Sequence, residues 1–251
     1  MKKSLFIILL LFLITKLNAQ SNDCSCLGVD EWKNERLVVD TELGTRNPYN
    51  SIINVHIKRW YNSGFYGTAS FINNSTIITA HHNLVRKGHI TKITYVINGE
   101  TVILKKKDFK IQHYKKKYKI NSDIAIIKIL NPNKIKEVQS HLKISEDIVK
   151  NISSNIHLTG FPCDSDDDEM LDKNTSFNSL KIDSSEKLIG YPLYTCTGDS
   201  GAPLWVYQDN SYYLIGIHHG GNEGNIEFKD SLYNISVYLN KNVINWINSI
   251  K

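Results

Sequence analysis

An all-β fold is predicted by three features of the sequence. Short apolar or alternating runs recur along it, at 52–60, 67–72, 76–79, 93–97, 101–104, 124–130, 156–160, 181–183, 202–207, 212–218 and 231–238. Asn, Gly, Ser and Lys bound these runs, and strands punctuated in this way read as a sandwich or barrel, whose closure also removes exposed edges. Helical spacing marks only the last segment, 240–250, where Val243, Ile244, Trp246, Ile247 and Ile250 share a face that packs on the body. Around 131–150, Asn131, Pro132 and a charged stretch interrupt the strands. Residues 20–36 are polar, hold Cys24 and Cys26, and read as a propeptide or N-terminal arm ahead of a domain at 37–251. There are no repeats and no long low-complexity linkers.

The first residues read as a targeting signal. Lys2 and Lys3 make a basic start, an apolar run covers 5–14, and Leu17-Asn18-Ala19 ends on a small residue suited to cleavage. That run is shorter than the ~20 residues needed to span a bilayer and fits a secretory signal over 1–19. An uncleaved anchor is the alternative; a lipoprotein is disfavoured because no cysteine directly follows the small residue. The expectation is a secreted protein, extracellular or periplasmic, with no membrane association once the signal is removed.

The chain carries 30 basic and 25 acidic residues, +5 overall, and without Lys2, Lys3 and Lys16 the balance is 27 against 25. Such a balance does not point to nucleic acid. The triplets Lys105–Lys107 and Lys115–Lys117 read as solvated edges or loops. Four cysteines in an exported chain are free to form disulfides, and Cys24-x-Cys26 is too short and isolated for a zinc site. The acidic run Asp164, Asp166, Asp167, Asp168 and Glu169 lacks the spacing of a calcium loop and reads as solvated.

The chemistry centres on Thr195-Cys196-Thr197-Gly198-Asp199-Ser200-Gly201-Ala202-Pro203-Leu204. A serine flanked by glycines sits just before an apolar strand, and glycines serve where the backbone must take positive φ or approach a ligand. The N–H groups of Gly198 and Ser200 can converge on one spot, as an oxyanion hole requires. Serine alone is a weak nucleophile and needs a base. Thr79-Ala80-His81-His82 offers an imidazole, and Asp123-Ile124-Ala125-Ile126 a carboxylate at the mouth of an apolar run. A carboxylate there is costly unless hydrogen-bonded, and a histidine N–H would satisfy it.

These three stretches, in the order His, Asp, Ser, resemble the T-A-x-H, D-I-A-hydrophobic and G-D-S-G-x-P signatures of the chymotrypsin-like serine proteases, over roughly residues 30–251. The resemblance implies an all-β, chymotrypsin-like double β-barrel with a C-terminal α-helix. His82 and Asp123 would fall in the first barrel and Ser200 in the second, with the join near 131–150. It implies an endopeptidase in which His82 is the base, Asp123 orients it, Ser200 attacks, and Gly198 and Ser200 supply the oxyanion donors. His81 takes the position before the base. No cofactor or catalytic metal is implied; protein or peptide substrates are, and a monomer is expected. A Cys163–Cys196 bridge bracing the oxyanion loop is also implied.

The strand ending Gly216-Ile217-His218-His219-Gly220-Gly221 resembles the glutamyl endopeptidase branch, which carries G-I-H-x-G-G there. By that match His218 lines the specificity pocket, Thr195 is its hydroxyl companion, and His219, Gly220 and Gly221 pair with the substrate backbone as an added strand. An imidazole and a hydroxyl suit a substrate carboxylate. Tyr194 stands where a Lys/Arg-specific pocket would have an acid. Two mature N-termini stay open. One lies near Val29, because Asn34-Glu35-Arg36 resembles the segment that follows that terminus in the branch. The other follows a cut after Arg36, whose new amino group would meet Asp199 as in trypsin-like enzymes. A protease of another preference, or an idle binding module of this fold, are the alternative functions.

Overall fold

The computed structural model describes residues 24–28, 30–60, 62–85, 88–117, 119–138, 141–165, 169–185, 187–221 and 233–250. The leader at 1–19, Val29, Asp166–Asp168 and the start of the 231–238 run lie outside the described residues. Strand β1 is Cys26–Leu27, and β2 Leu37–Val39. Then come β3 (Ile52–Arg59), β4 (Asn62–Asn73), β5 (Thr76–Thr79), β6 (Ile90–Ile97), β7 (Glu100–Lys105), β8 (Phe109–His113) and β9 (Ala125–Ile129). The second set is β10 (Ile156–Gly160), β11 (Met170–Thr175), β12 (Lys181–Asp183), β13 (Leu188–Tyr191), β14 (Thr195–Cys196), β15 (Pro203–Gln208), β16 (Ser211–Gly221) and β17 (Asn234–Tyr238). Short helices α1 (Asp30–Asn34), α2 (Thr41–Gly44), α3 (His81–Val85) and α4 (Glu146–Lys150) connect them, and α5 (Lys241–Ile250) closes the chain.

Two antiparallel sheets follow. The first runs β7-β6-β3-β4-β5-β9-β8 and the second β12-β13-β17-β16-β15-β10-β11-β2, with β1-β14 as a separate ribbon. The expected strands 76–79, 156–160 and 181–183 match β5, β10 and β12. The segment 130–155 joins the sheets and contains α4.

Strand periodicity explains the packing between the barrels. Successive side chains of a strand point to opposite faces. In β5, Ile77 enters the core of the first sheet and Ile78 a cluster shared with the second; in β9, Ile127 and Ile126 divide in the same way. The shared cluster takes Trp205, Leu214, Ile217 and Val237 from the second sheet and Val243 and Ile247 from α5. A third cluster, with Ile156, Leu158, Leu204 and Ile215, fills the second barrel. Fully burying an Ile or Leu contributes about 1.5–3 kcal/mol, so β5 and β9, apolar on both faces, are firmly held. Helix α5 is capped by Asn240, whose Oδ1 accepts from the N–H groups of Asn242 and Val243.

Candidate active site

Strands β5 and β9 pair with Thr79 opposite Ala125. His82 lies just past the end of β5 and Asp123 just before the start of β9, so this pairing brings them together. Asp123 is fully buried. Its Oδ1 accepts the His82 backbone N–H at 2.8 Å, and its Oδ2 lies 2.6 Å from His82 Nδ1. A second imidazole meets the same oxygen, His219 Nδ1 at 2.6 Å. Burial alone would raise the Asp123 pKa, but the bonds from His219 and His82 outweigh it and hold the carboxyl far below its usual range. His81 turns the other way, stacking on His113 at 4.1 Å.

Ser200 lies on the loop between β14 and β15. Its carbonyl accepts the Thr68 N–H at 3.0 Å and a hydrogen bond from Asn83 Nδ2 at 2.8 Å, so the first barrel grips the loop that carries Ser200. Gly198 has φ +103°, and a Cβ there would run into the Phe161 carbonyl; Gly201 has φ +89°, and a Cβ would meet Thr79 and Thr68. Both positions need glycine. Among the described residues, neither the Gly198 nor the Ser200 N–H donates to another backbone carbonyl, which leaves both donors for a ligand oxygen. His82 and Ser200 line one cavity, without a hydrogen bond between them among the described residues.

Beneath this loop, Asp199 and Lys173 form a buried ion pair, Nζ to Oδ2 at 2.6 Å, and Asp199 Oδ2 also accepts the Cys196 N–H at 3.0 Å. Lys173 comes from β11, whose partner is β2, with Asp172 opposite Leu37. Leu37 is thus inside an intact strand, and the ammonium that a cut after Arg36 would bring to Asp199 is already supplied by a lysine.

The cysteines depart from expectation. Cys163 and Cys196 do not bridge each other. Cys24 bonds Cys163 and Cys26 bonds Cys196, across 139 and 170 residues. The N-terminal arm therefore lies against the segment leading to Ser200, where β1 pairs with β14, Cys26 opposite Cys196 and Leu27 opposite Thr195. Ladder pairing and bridges staple the same short segment twice. Arg36 adds a bidentate contact to Asp164 at 2.8 and 2.9 Å.

A cavity of about 430 Å³ opens beside Ser200, lined by His82, Thr195, His218, His219, Gly220 and Gly221 together with Ser25–Leu27 of the arm. His218 is buried. Its Nδ1 lies 2.5 Å from the Tyr191 hydroxyl, which lies 2.9 Å from Ser236 Oγ. Burial, with Lys173 nearby, pulls its pKa well below the usual imidazole value, so the ring is neutral. Thr195 is buried in the same wall, and its hydroxyl donates to Asn234 Oδ1 at 2.7 Å. Asn234 in turn donates to the carbonyls of Leu193 and Leu27. The side chain of His219, for which the sequence suggested no partner, turns onto Asp123. The cause is a bulge between His218 and Gly220 in the β16–β17 register, and bulges re-aim side chains.

His82, Asp123 and His219 have metal-ligand atoms close together. Their 2.6 Å contacts are hydrogen-bond distances, shorter than the roughly 3.3 Å between ligand atoms of a tetrahedral ion held at about 2.0 Å. Sequence reasoning did not find Lys173, Tyr191, Ser236, Asn234 or the arm residues of the cavity. Lys173 follows Asp172 in a polar strand, and only tertiary pairing distinguishes it from a surface lysine.

Solved structures of similar fold include one titled "Structure of Glu endopeptidase in complex with MPD", with TM-score 0.65 and 17% identity over 86% of this chain and 96% of that chain. The protease Anisep from Arthrobacter nicotinovorans aligns with TM-score 0.61 and 17% identity over 81% of this chain and 96% of its own. The thermostable serine protease AL20 aligns with TM-score 0.62 and 13% identity over 80% and 96%. No curated protein matches the chain. The family profile described as Trypsin matches residues 42–247. The chain belongs to the trypsin family and is a serine endopeptidase.

Proposed function

We propose that this endopeptidase is exported and cleaves after glutamate, with Ser200 as nucleophile, His82 as base and Asp123 as its orienting carboxylate. Ser200 Oγ attacks the scissile carbonyl carbon while its proton passes to His82 Nε2. Negative charge collects on the carbonyl oxygen and is met by the N–H groups of Gly198 and Ser200. The imidazolium formed on His82 is stabilised by Asp123 and gives its proton to the leaving amine as the C–N bond breaks. Water then enters by the same route, with His82 again as base, and releases the acid product from the acyl-enzyme.

The observation that carries the specificity is the neutral, buried imidazole of His218 in the cavity wall. When Tyr191 donates to Nδ1, Nε2 keeps its proton and presents a donor to an acidic side chain. A site built to pair a buried polar group rejects substrates that leave it unpaired. The Glu endopeptidase among the structural relatives is consistent with this reading. One observation favours a different preference: the Thr195 hydroxyl is already engaged by Asn234, so it does not offer a second donor.

The test is a peptide panel varied at the residue before the scissile bond, run with the exported protein beside Ser200→Ala and His218→Ala. Cleavage after Glu, abolished by Ser200→Ala and reduced about 10²-fold or more by His218→Ala, is the expected result. Activity that Ser200→Ala removes but that ignores Glu sinks the pocket reading and keeps the nucleophile. Absence of both cleavage and fluorophosphonate labelling at Ser200 overturns the mechanism.

A further inference from the structure

Charge is divided unevenly along the chain. Residues 52–129, which make the first barrel, hold 14 Lys and Arg against 3 Asp and Glu; residues 144–251 hold 7 against 15. Of the three acids in the first barrel, Asp108 and Asp123 are buried and Glu100 pairs with Lys136. Such asymmetry between halves points to an anionic partner.

The lysines are also ordered. In the ladder β3-β6-β7, Lys58 stands opposite Lys92 and Lys92 opposite Lys105. Directly opposed residues share a face, and neighbouring strands lie about 4.8 Å apart, so three ammonium stems stand in one row on the outer side of the sheet. Lys106 and Lys107 follow at its end. Like charges directly opposite each other destabilise a sheet, and among the described residues no carboxylate forms an ion pair with Lys58, Lys92 or Lys105. Folding alone gives no reason to keep them there.

The row is connected to the cleft. One pleat along the strands, about 7 Å away, lies the row of Tyr66, His56 and Thr94, in register with one another. His56 stacks on the half-exposed Tyr66 at 4.4 Å. The residue after Tyr66 is Gly67, and Thr68 then holds the Ser200 carbonyl. A polypeptide bound at Ser200 can therefore reach the lysines without leaving the surface. Lysines are point charges on flexible stems, without a fork that demands one acceptor geometry, so the row suits a mobile acidic segment held by charge and not by a fixed fit.

We propose that the outer face of the first barrel, centred on the Lys58–Lys92–Lys105 row, is an exosite that docks an acidic segment of a polypeptide substrate. The inference rests on the endopeptidase assignment, not on cleavage after Glu.

The experiment uses one short cleavable peptide in three forms: bare, with a Gly-Ser tail, and with the same spacer carrying D-aspartates, which resist cleavage. On the unsubstituted enzyme at low salt, the acidic tail lowers KM about tenfold relative to the Gly-Ser tail, and 0.5 M salt removes the gain, as expected for roughly ten times more productive encounters from steering. Lys58→Glu/Lys92→Glu/Lys105→Glu loses the gain and leaves the bare peptide unchanged; the matching Gln variant loses most of it. Equal KM for both tails, or a gain retained in the Glu variant, overturns the proposal. A sulfated glycan or DNA that binds this face while the acidic tail does nothing also overturns it and reassigns the partner. Binding of the labelled tail to Ser200→Ala separates the two readings: a tail that binds Ser200→Ala and its Glu variant equally refutes the exosite even where cleavage fails for other reasons.

Discussion

In the first barrel, His82 and Asp123 stand at adjacent ends of β5 and β9, strands buried on both faces, and two hydrogen bonds between neighbours finish the arrangement. In the second, Ser200 stands on a loop with two positive-φ glycines, over a buried ion pair, beside two disulfides that reach back to residues 24 and 26. Packing is enough for the first pair because an apolar ladder already sets their positions. The loop carrying Ser200 leaves the N–H groups of Gly198 and Ser200 without backbone partners among the described residues, so no ladder of its own holds it there. It is pinned from outside by covalent bridges, a salt bridge and the grip of Thr68 and Asn83.

Three perturbations test this contrast. The largest effect is expected from Lys173→Met. It strands the Asp199 carboxylate in the interior, and breaking one side of a buried pair costs about 3–5 kcal/mol; urea unfolding of the active enzyme should show that loss, with kcat falling as the loop relaxes. A loss under about 1 kcal/mol would mean that another ammonium reaches Asp199, and would revive the cut after Arg36. Next is Cys24→Ser/Cys163→Ser. Removing a bridge that closes so long a loop costs about 2–4 kcal/mol, and hydrogen exchange should rise around β14 while β5 and β9 keep their protection. Equal loosening of both barrels would refute the division of labour.

Acid acts most gradually of the three. Burial holds His81, His113, His141 and His218 below the ordinary imidazole value, His113 at about 4. The unfolded chain therefore binds protons that the folded chain refuses, and stability declines as pH falls from about 6.5 toward 4, by at most about 1.4 kcal/mol per pH unit for each group. Three of the four lie in or against the first barrel, so β8 and β9 should lose exchange protection before β15 and β16. Stability that rises between pH 6.5 and 5 would contradict the burial of these rings.

Much of this contrast was legible in the sequence. The β-branched runs that become β5 and β9 carry their own period, and the residues at their ends were identifiable as His82 and Asp123. Strands β8, β11 and β13 are not legible: Phe109–His113 carries the exposed Lys110 amid half-buried residues, Met170–Thr175 holds Asp172 and Lys173 that only tertiary pairing buries, and Leu188–Tyr191 is four residues long. The cysteine partners were missed because loop closure over more than a hundred residues leaves no local trace. The contact of the His219 side chain with Asp123 has no local signal either, because it depends on one bulge in the β16–β17 register.

The paired bridges have a consequence for an enzyme that meets its own kind at high concentration. Any single nick between residues 26 and 196 leaves both fragments tied through Cys24–Cys163, Cys26–Cys196 or both. Autolysis in the surface loops of that span would separate the pieces only under reducing electrophoresis. The undescribed stretch 222–232 falls after Cys196 and lies beyond this insurance.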